Sequence, residues 1–363
     1  MQKKAQFSNV FALAGHRIAN IIGANIIGPS TIGWGIGIAF IGLSSYVPAA
    51  HADQIPTPPG WTLQWSDNFD GPAGTLPSST LWRFDTGHSY PNGAPNWGTS
   101  ETESYTDDPR NIHLDGQGHL LIIPQRDASG QWTSARIESV QDNFIAPDGG
   151  MLRIEARIQM PNVVGEQALG YWPAFWALGS SFRNTMAWPQ AGEFDIMESV
   201  NGLDSVWGIL HCGVNPGGPC AEPQGIGSRV PCPHTACTGD FHTYTFEWNR
   251  GITPERMRWF VDGVQINQVT ENQLSPSVWH DLTTQHGYFV LLDVAMGGGF
   301  SFVMSGWRPT PTATTEPGHA MMVDYVAVWT RPGNGKKVPA TPEMTAGSKG
   351  AVPATATRTT APR

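Results

Sequence analysis

Charge is scarce in this sequence: only 14% of its 363 residues are Asp, Glu, Lys or Arg, against about 25% in an average globular protein. Basic residues are the scarcer sign, 21 against 30 acids. The formal net charge of −9 argues against nucleic acid as a partner held through phosphate contacts. Cysteine is limited to four residues. No stretch between residues 53 and 332 carries a convincing 3.6-residue apolar period. Gly and Pro, 42 and 30 residues, break helices, which excludes long helices, coiled coils and helical repeats. Aromatic and aliphatic side chains are too plentiful for a wholly disordered chain. What the chain does have is tryptophan, 15 residues of it. An aromatic-rich, charge-poor, turn-rich composition points to a β protein with a stacking surface.

The charge is unevenly placed. Residues 1–52 carry +3, residues 333–363 carry +4, and the body between them carries −16. The first 52 residues have a basic start, an apolar stretch densest from Thr31 to Leu43, and Ala50-His51-Ala52 before Asp53. That order predicts an export signal cleaved after Ala52, and hence a secreted or periplasmic protein without stable membrane insertion. The alternative is an uncleaved anchor, since residues 20–43 approach spanning length. Residues 333–363 are rich in Thr, Ala, Pro, Gly and Lys. They cannot bury a core and are expected to be a disordered tail.

Residues 53–332 carry repeated strand signals. From Met151 to Met160, Leu152, Ile154, Ala156 and Ile158 alternate with Arg153, Glu155, Arg157 and Gln159, the pattern of a half-buried strand. Phe241–Trp248, Tyr288–Met296 and Met321–Trp329 are further strands. Met257–Val261 and Val264–Ile266 flank Asp262-Gly263, which predicts a hairpin closed by a tight turn. Many strands and no helices imply a single all-β sandwich or barrel. About 280 residues is an acceptable size for one such domain.

The chemistry concentrates at Gly192-Glu193-Phe194-Asp195-Ile196-Met197-Glu198. In a regular strand Glu193 and Asp195 share one face, while Phe194 and Ile196 take the other. Glu198 falls on the wrong face unless a β-bulge near Ile196–Met197 absorbs one residue. With that bulge, Glu193 and Glu198 stand about four steps apart, roughly 13 Å between Cα atoms at ~3.3 Å per step. Side chains leaning together can close this to the ~5–5.5 Å of a retaining glycosidase pair. Three carboxylates on one face repel, so one tends to keep its proton near neutral pH. An ionised nucleophile and a protonated acid are the two parts that glycoside hydrolysis needs. The competing explanations are a solvated edge-strand face and a calcium site.

Cys212, Cys220, Cys232 and Cys237 allow three pairings. Short local loops favour Cys212–Cys220 with Cys232–Cys237, stapling a Gly/Pro-rich excursion at 213–240. The spacing does not match a common zinc pattern, and an exported chain favours disulfides.

Around the acids stand Gly170-Tyr171-Trp172-Pro173-Ala174-Phe175-Trp176-Ala177-Leu178, Trp188-Pro189 and His211. Trp65-Ser66-Asp67-Asn68-Phe69 opens the body and Val323-Asp324-Tyr325-Val326-Ala327-Val328 closes it. In this order the segments resemble family 16 of the glycoside hydrolases, in its laminarinase-like branch, over residues 60–331. The resemblance implies a β-jelly-roll of two curved antiparallel sheets with an open cleft on the concave face. It implies Glu193 as nucleophile, Glu198 as acid/base and Asp195 as the carboxylate between them. Trp172, Trp176 and Trp188 fall where the family stacks sugar rings, and His211 where it has a histidine near the acid/base. Flat rings suit the C–H face of a pyranose; core packing is the alternative for each. Many relatives have an acid at the position of Asn68, beside a structural calcium that also uses the aspartate at Asp324. An amide is a weaker calcium ligand. Phe300 stands where relatives often carry Trp. The implied activity is cofactor-free endo-hydrolysis of β-1,3 or mixed β-1,3/1,4-glucan by a monomer. Action on a galactan, transglycosylation and a non-catalytic glucan-binding sandwich are the alternatives.

Overall fold

The computed structural model describes residues 55–333 and 337–340. The expected export segment, residues 1–52, and most of the expected tail lie outside these residues. Among the described residues no helix is long and apolar enough to cross a membrane.

Two antiparallel sheets pack face to face as a β-jelly-roll sandwich. One runs in the order Ile226–Val230, Val206–His211, Glu193–Glu198, Tyr171–Gly179, Tyr288–Met296, Arg136–Ser139, Trp82–Asp85. The other runs Val264–Thr270, Arg256–Val261, His242–Asn249, Met151–Gln159, Met321–Arg331, Leu120–Ile122, Ile112–Leu114, with Thr62–Asp67 also paired to Met321–Arg331. Period-2 alternation decides what lies between them. Phe175, Phe194 and Leu210 from the first sheet meet Phe246, Trp248 and Trp259 from the second, all fully buried. Phe194 stacks on Phe246 with ring centroids 4.5 Å apart. Aromatic burial of this kind, about 150–250 Å² per ring, dominates the core.

The long strands follow the sequence pattern. Leu152, Ile154, Ala156 and Ile158 all point into the core. Val261 pairs with Val264, and Asp262 and Gly263 have φ of 48° and 76°, as a tight two-residue hairpin turn requires. Both expected disulfides are present, Cys212–Cys220 and Cys232–Cys237.

Three features depart from expectation. A helix spans Pro276–Thr284, capped by Ser275 with Pro at its first turn, and a shorter one spans Gly298–Met304. About two and a half turns or fewer give too few repeats for an apolar period to register. The 213–240 excursion contains an edge strand, Ile226–Val230, paired to Val206–His211; its central Gly and Ser hide the alternation. Val338–Pro339, inside the segment expected to be an unstructured tail, pairs in parallel with Ile252–Thr253. Lys337 Nζ donates to buried Glu255 Oε1 at 2.6 Å beside it.

Candidate active site

Gly192 turns the chain into the Glu193–Glu198 strand at φ 75°. A Cβ there would sit 2.6 Å from Leu282 and 2.8 Å from the Tyr288 hydroxyl, so only glycine fits. Glu193 then pairs with Leu178 and His211, and Asp195 with Trp176 and Ile209. Glu198 pairs with Ala174 and Trp207. Three steps on this strand therefore face two on each neighbour. This is the bulge the acid spacing predicts, and it opposes both flanking strands at once. Phe194, Ile196 and Met197 go into the core, while Glu193, Asp195 and Glu198 share the outer face.

Indole groups hold the two outer acids. Trp172 Nε1 donates to Glu198 Oε1 at 2.8 Å, and Trp188 Nε1 donates to Glu193 Oε2 at 3.2 Å. Trp176 Nε1 donates to Asp293 Oδ1 at 2.7 Å. All three rings are half-buried, so each keeps surface open to a ligand. Phe300 packs edge-on against Trp172 and Trp207, at centroid distances of 5.4 and 5.0 Å. Its ring therefore braces the wall beside Glu198. His211 lies beside Trp188 at 5.5 Å between rings. Its Nε2 stands 3.1 Å from Asp195 Oδ2, and its Nδ1 stands 2.6 Å from Glu222 Oε2. Both ring nitrogens are thus taken by carboxylates.

Burial sets the proton affinities. It pushes Glu193 up to about 8, with Asp195 adding to the rise and His211 and Arg136 opposing it. Burial and then Asp195 hold Glu198 well above the ordinary carboxyl range, again opposed by His211. Burial alone would lower His211, but Asp195 and Glu222 outweigh it and favour the imidazolium. A carboxyl whose affinity is raised on folding stabilises the fold fully below its unfolded value, and loses that contribution as pH rises to its folded value. For Glu193 the window runs from 4.5 to about 8. Glu193→Gln is accordingly expected to melt with the native protein near pH 4 and a few degrees above it near pH 8. Thermal scans across that range check the sign; a variant that loses ground as pH rises contradicts it.

A second polar group adjoins these acids and escaped the sequence reading. Asp293 projects from the neighbouring strand, where Tyr288–Met296 is otherwise apolar. Burial lifts it to about 7 against the pull of Arg136. Tyr105 OH donates to Glu101 Oε2 at 2.9 Å and lies 3.3 Å from Asp293 Oδ2. Arg136 Nε donates to Asp85 Oδ2 at 3.0 Å. Its guanidinium lies over the rings of Tyr90, Trp97 and Trp176, at 5.2, 4.7 and 4.8 Å. A lone acid in an apolar strand was the available signal for Asp293.

Asp324 lies on the opposite sheet, apart from the acid trio. Its Oδ2 accepts from Arg157 Nη1 at 2.6 Å, and Asn68 Nδ2 donates to Asp70 Oδ2 at 2.8 Å. A guanidinium bonded to the carboxylate opposes a dication, so Asp324 does not fit the calcium role expected of it. Among the described residues, one group of three or more His, Cys, Asp or Glu has ligand atoms mutually within 4.8 Å: Glu193, Asp195 and His211. An imidazolium held between two carboxylates offers no lone pair to a metal.

Carboxylates and indoles ranged along one face of a sandwich are the equipment of a carbohydrate-active protein. The pattern of the glycosyl hydrolases family 16 matches residues 131–287. The endo-1,3-beta-glucanase from Streptomyces sioyaensis superposes with a TM-score of 0.74 and 54% identity, over 77% of this chain and 99% of that one. The beta-glucanase of Rhodothermus marinus is 29% identical over 289 residues, 77% of this chain and 88% of that one. The clotting factor G alpha subunit of Tachypleus tridentatus is 30% identical over 274 residues. They make up 75% of this chain, which spans only 34% of that relative's length. The chain belongs to family 16 of the glycoside hydrolases.

Proposed function

We propose that the protein is an exported endo-hydrolase of β-1,3 or mixed β-1,3/1,4-glucan that works with retention of configuration. The observation that carries this reading is the bulge, which sets Glu193, Asp195 and Glu198 on one face with an indole donor at each end. Similarity to the Streptomyces endo-1,3-beta-glucanase supports the polymer, and two disulfides support an oxidising compartment.

In the first step the Glu193 carboxylate attacks the anomeric carbon as Glu198 gives its proton to the departing glycosidic oxygen. In the second, Glu198 takes a proton from water, whose oxygen displaces Glu193 from that carbon. Burial suits Glu198 to the acid role, because it enters the reaction protonated. The attack requires ionised Glu193; His211 and Arg136 pull its proton affinity down, against the burial that lifts it to about 8. Asp195 stands between the two glutamates and ties them to His211. Trp172, Trp176 and Trp188 offer flat apolar surface to sugar rings. No cofactor takes part. A glucan-binding sandwich would need the indoles but no acid trio on one face.

Reducing-sugar release from laminarin, lichenan, agarose and carrageenan tests this. Rapid release of mixed oligosaccharides from laminarin or lichenan is expected, with β-configured new ends. Turnover of agarose or carrageenan alone would reassign the polymer. Products longer than the substrate would make it a transglycosylase, and no turnover at all would make it a binding protein.

A further inference from the structure

The loop that follows His211 contains a carboxylate with no part in the proposed chemistry. Glu222 is 3% exposed. Its Oε2 lies 2.6 Å from His211 Nδ1, and its Oε1 accepts from the backbone N–H of Cys212 at 2.8 Å. Both carboxylate oxygens are therefore committed to His211 and the residue after it. The Cys212–Cys220 disulfide joins the residue after His211 to a point two residues before Glu222. Backbone bonds between Gly217 and Glu222, 2.7 Å from Gly217 N and 2.6 Å from Glu222 N, close the loop. Gly225, at φ 68°, carries it past the imidazole: a Cβ there would stand 2.9 Å from His211 Cε1. An eight-residue staple thus fastens a buried anion to the back of a histidine whose front faces Asp195.

From this geometry we infer that Glu222 is a positioning residue for hydrolysis. It fixes the His211 ring and keeps it charged, so that the imidazolium balances Asp195 and, through it, the two reacting glutamates. The inference rests on the roles proposed for Glu193 and Glu198. The charged groups facing the imidazole are Asp195 and Glu193 from the neighbouring strand and Glu222 from the loop. On its other flank the Ile226–Val230 strand pairs Ile226 with Leu210, and its cation, Arg229, sits away from the imidazole, opposite Trp207. Two carboxylates in contact and one nearby leave a buried imidazole with strong reason to hold its second proton. A partner on the far nitrogen is also what sets ring orientation at catalytic histidines in general. The sequence gives no local sign of this, because the partner lies eleven residues away across a disulfide-closed loop.

The test is direct titration of His211 by NMR in the native protein and in Glu222→Gln, with kinetics on laminarin for both. Glutamine keeps the shape and an acceptor for the Cys212 N–H, so a merely structural role would leave the kinetics unchanged. The expected native result is an imidazolium that persists above neutral pH. In Glu222→Gln its titration moves toward acid by about one unit, a tenfold change in proton affinity. kcat falls about tenfold near the alkaline edge of activity, with KM unchanged. A native His211 already neutral at pH 6 overturns the inference and needs no variant to fold. So does a variant whose kinetic pH profile superimposes on the native one, whether or not its titration moves. Failure of the native protein to hydrolyse any glucan would strike the proposed function instead, leaving the titration result standing.

Discussion

Glu193→Gln is expected to lose hydrolysis by about 10⁴-fold or more, the scale on which removal of a covalent nucleophile acts, while still binding oligosaccharide. The amide has the shape of the acid and can accept from Trp188 Nε1, which bonds Glu193 at 3.2 Å. Substrate affinity should therefore stay within a few-fold, as binding draws on the indoles rather than on the nucleophile. Glu198→Gln should be comparably inactive on polymers, because a glucan leaving group needs its proton. Azide separates the two roles. With Glu193→Ala, azide replaces the nucleophile and yields a glycosyl azide of inverted configuration. With Glu198→Ala, azide opens the glycosyl-enzyme and yields the retained one. Turnover by Glu193→Gln within tenfold of native would falsify the nucleophile assignment.

The largest expected effect on stability is at Arg136. Its guanidinium is buried, bonded to Asp85 and Tyr90, and enclosed by three aromatic rings. Arg136→Met keeps much of the apolar stem but strands Asp85 and Asp293 without their cation. Breaking a buried ion pair from one side costs about 3–5 kcal/mol, a large part of the ~5–15 kcal/mol that holds a domain folded. The stranded carboxyls can escape by taking up protons. Asp293 does so up to about 7 even with Arg136 present, and its affinity rises further without the cation. The loss should thus be greatest at alkaline pH and smaller near pH 4. Denaturant titrations at the two pH values check both size and sign. A loss below about 1 kcal/mol at alkaline pH would show that the surrounding rings, not the ion pairs, hold this corner together. Since Arg136 also favours the ionised Glu193, the same variant should be less active wherever it remains folded.

How much could be read in advance follows from where each signal lies. Met151–Gln159 and Tyr288–Met296 are nine residues each, long enough for alternation or a continuous apolar run to declare a strand. The acid trio was legible because three carboxylates in an apolar strand need a reason. Its bulge was legible because only an extra residue returns Glu198 to the face of Glu193 and Asp195. Arg136, Glu101 and Glu222 were not legible. They come from separate strands and loops, and only the pairing of distant segments sets them beside the acids. Asp324 shows the converse: it carried a family expectation, but its actual neighbour, Arg157, sits 167 residues away in the chain.

The bulge between Asp195 and Glu198 also makes this centre depend on parity. Exchanging Ile196 or Met197 for another apolar residue changes volume and little else. Deleting either one changes an odd count to an even one, so plain alternation puts Glu198 on the face of Glu193 and Asp195 with no bulge to form. Keeping both residues while ironing out the bulge does the opposite: the strand could still pair and the sandwich could still close, with every reacting group present in the chain and Glu198 facing the wrong way. Descendants of this protein can therefore shorten the segment by one residue and keep the face, so long as the bulge goes with it.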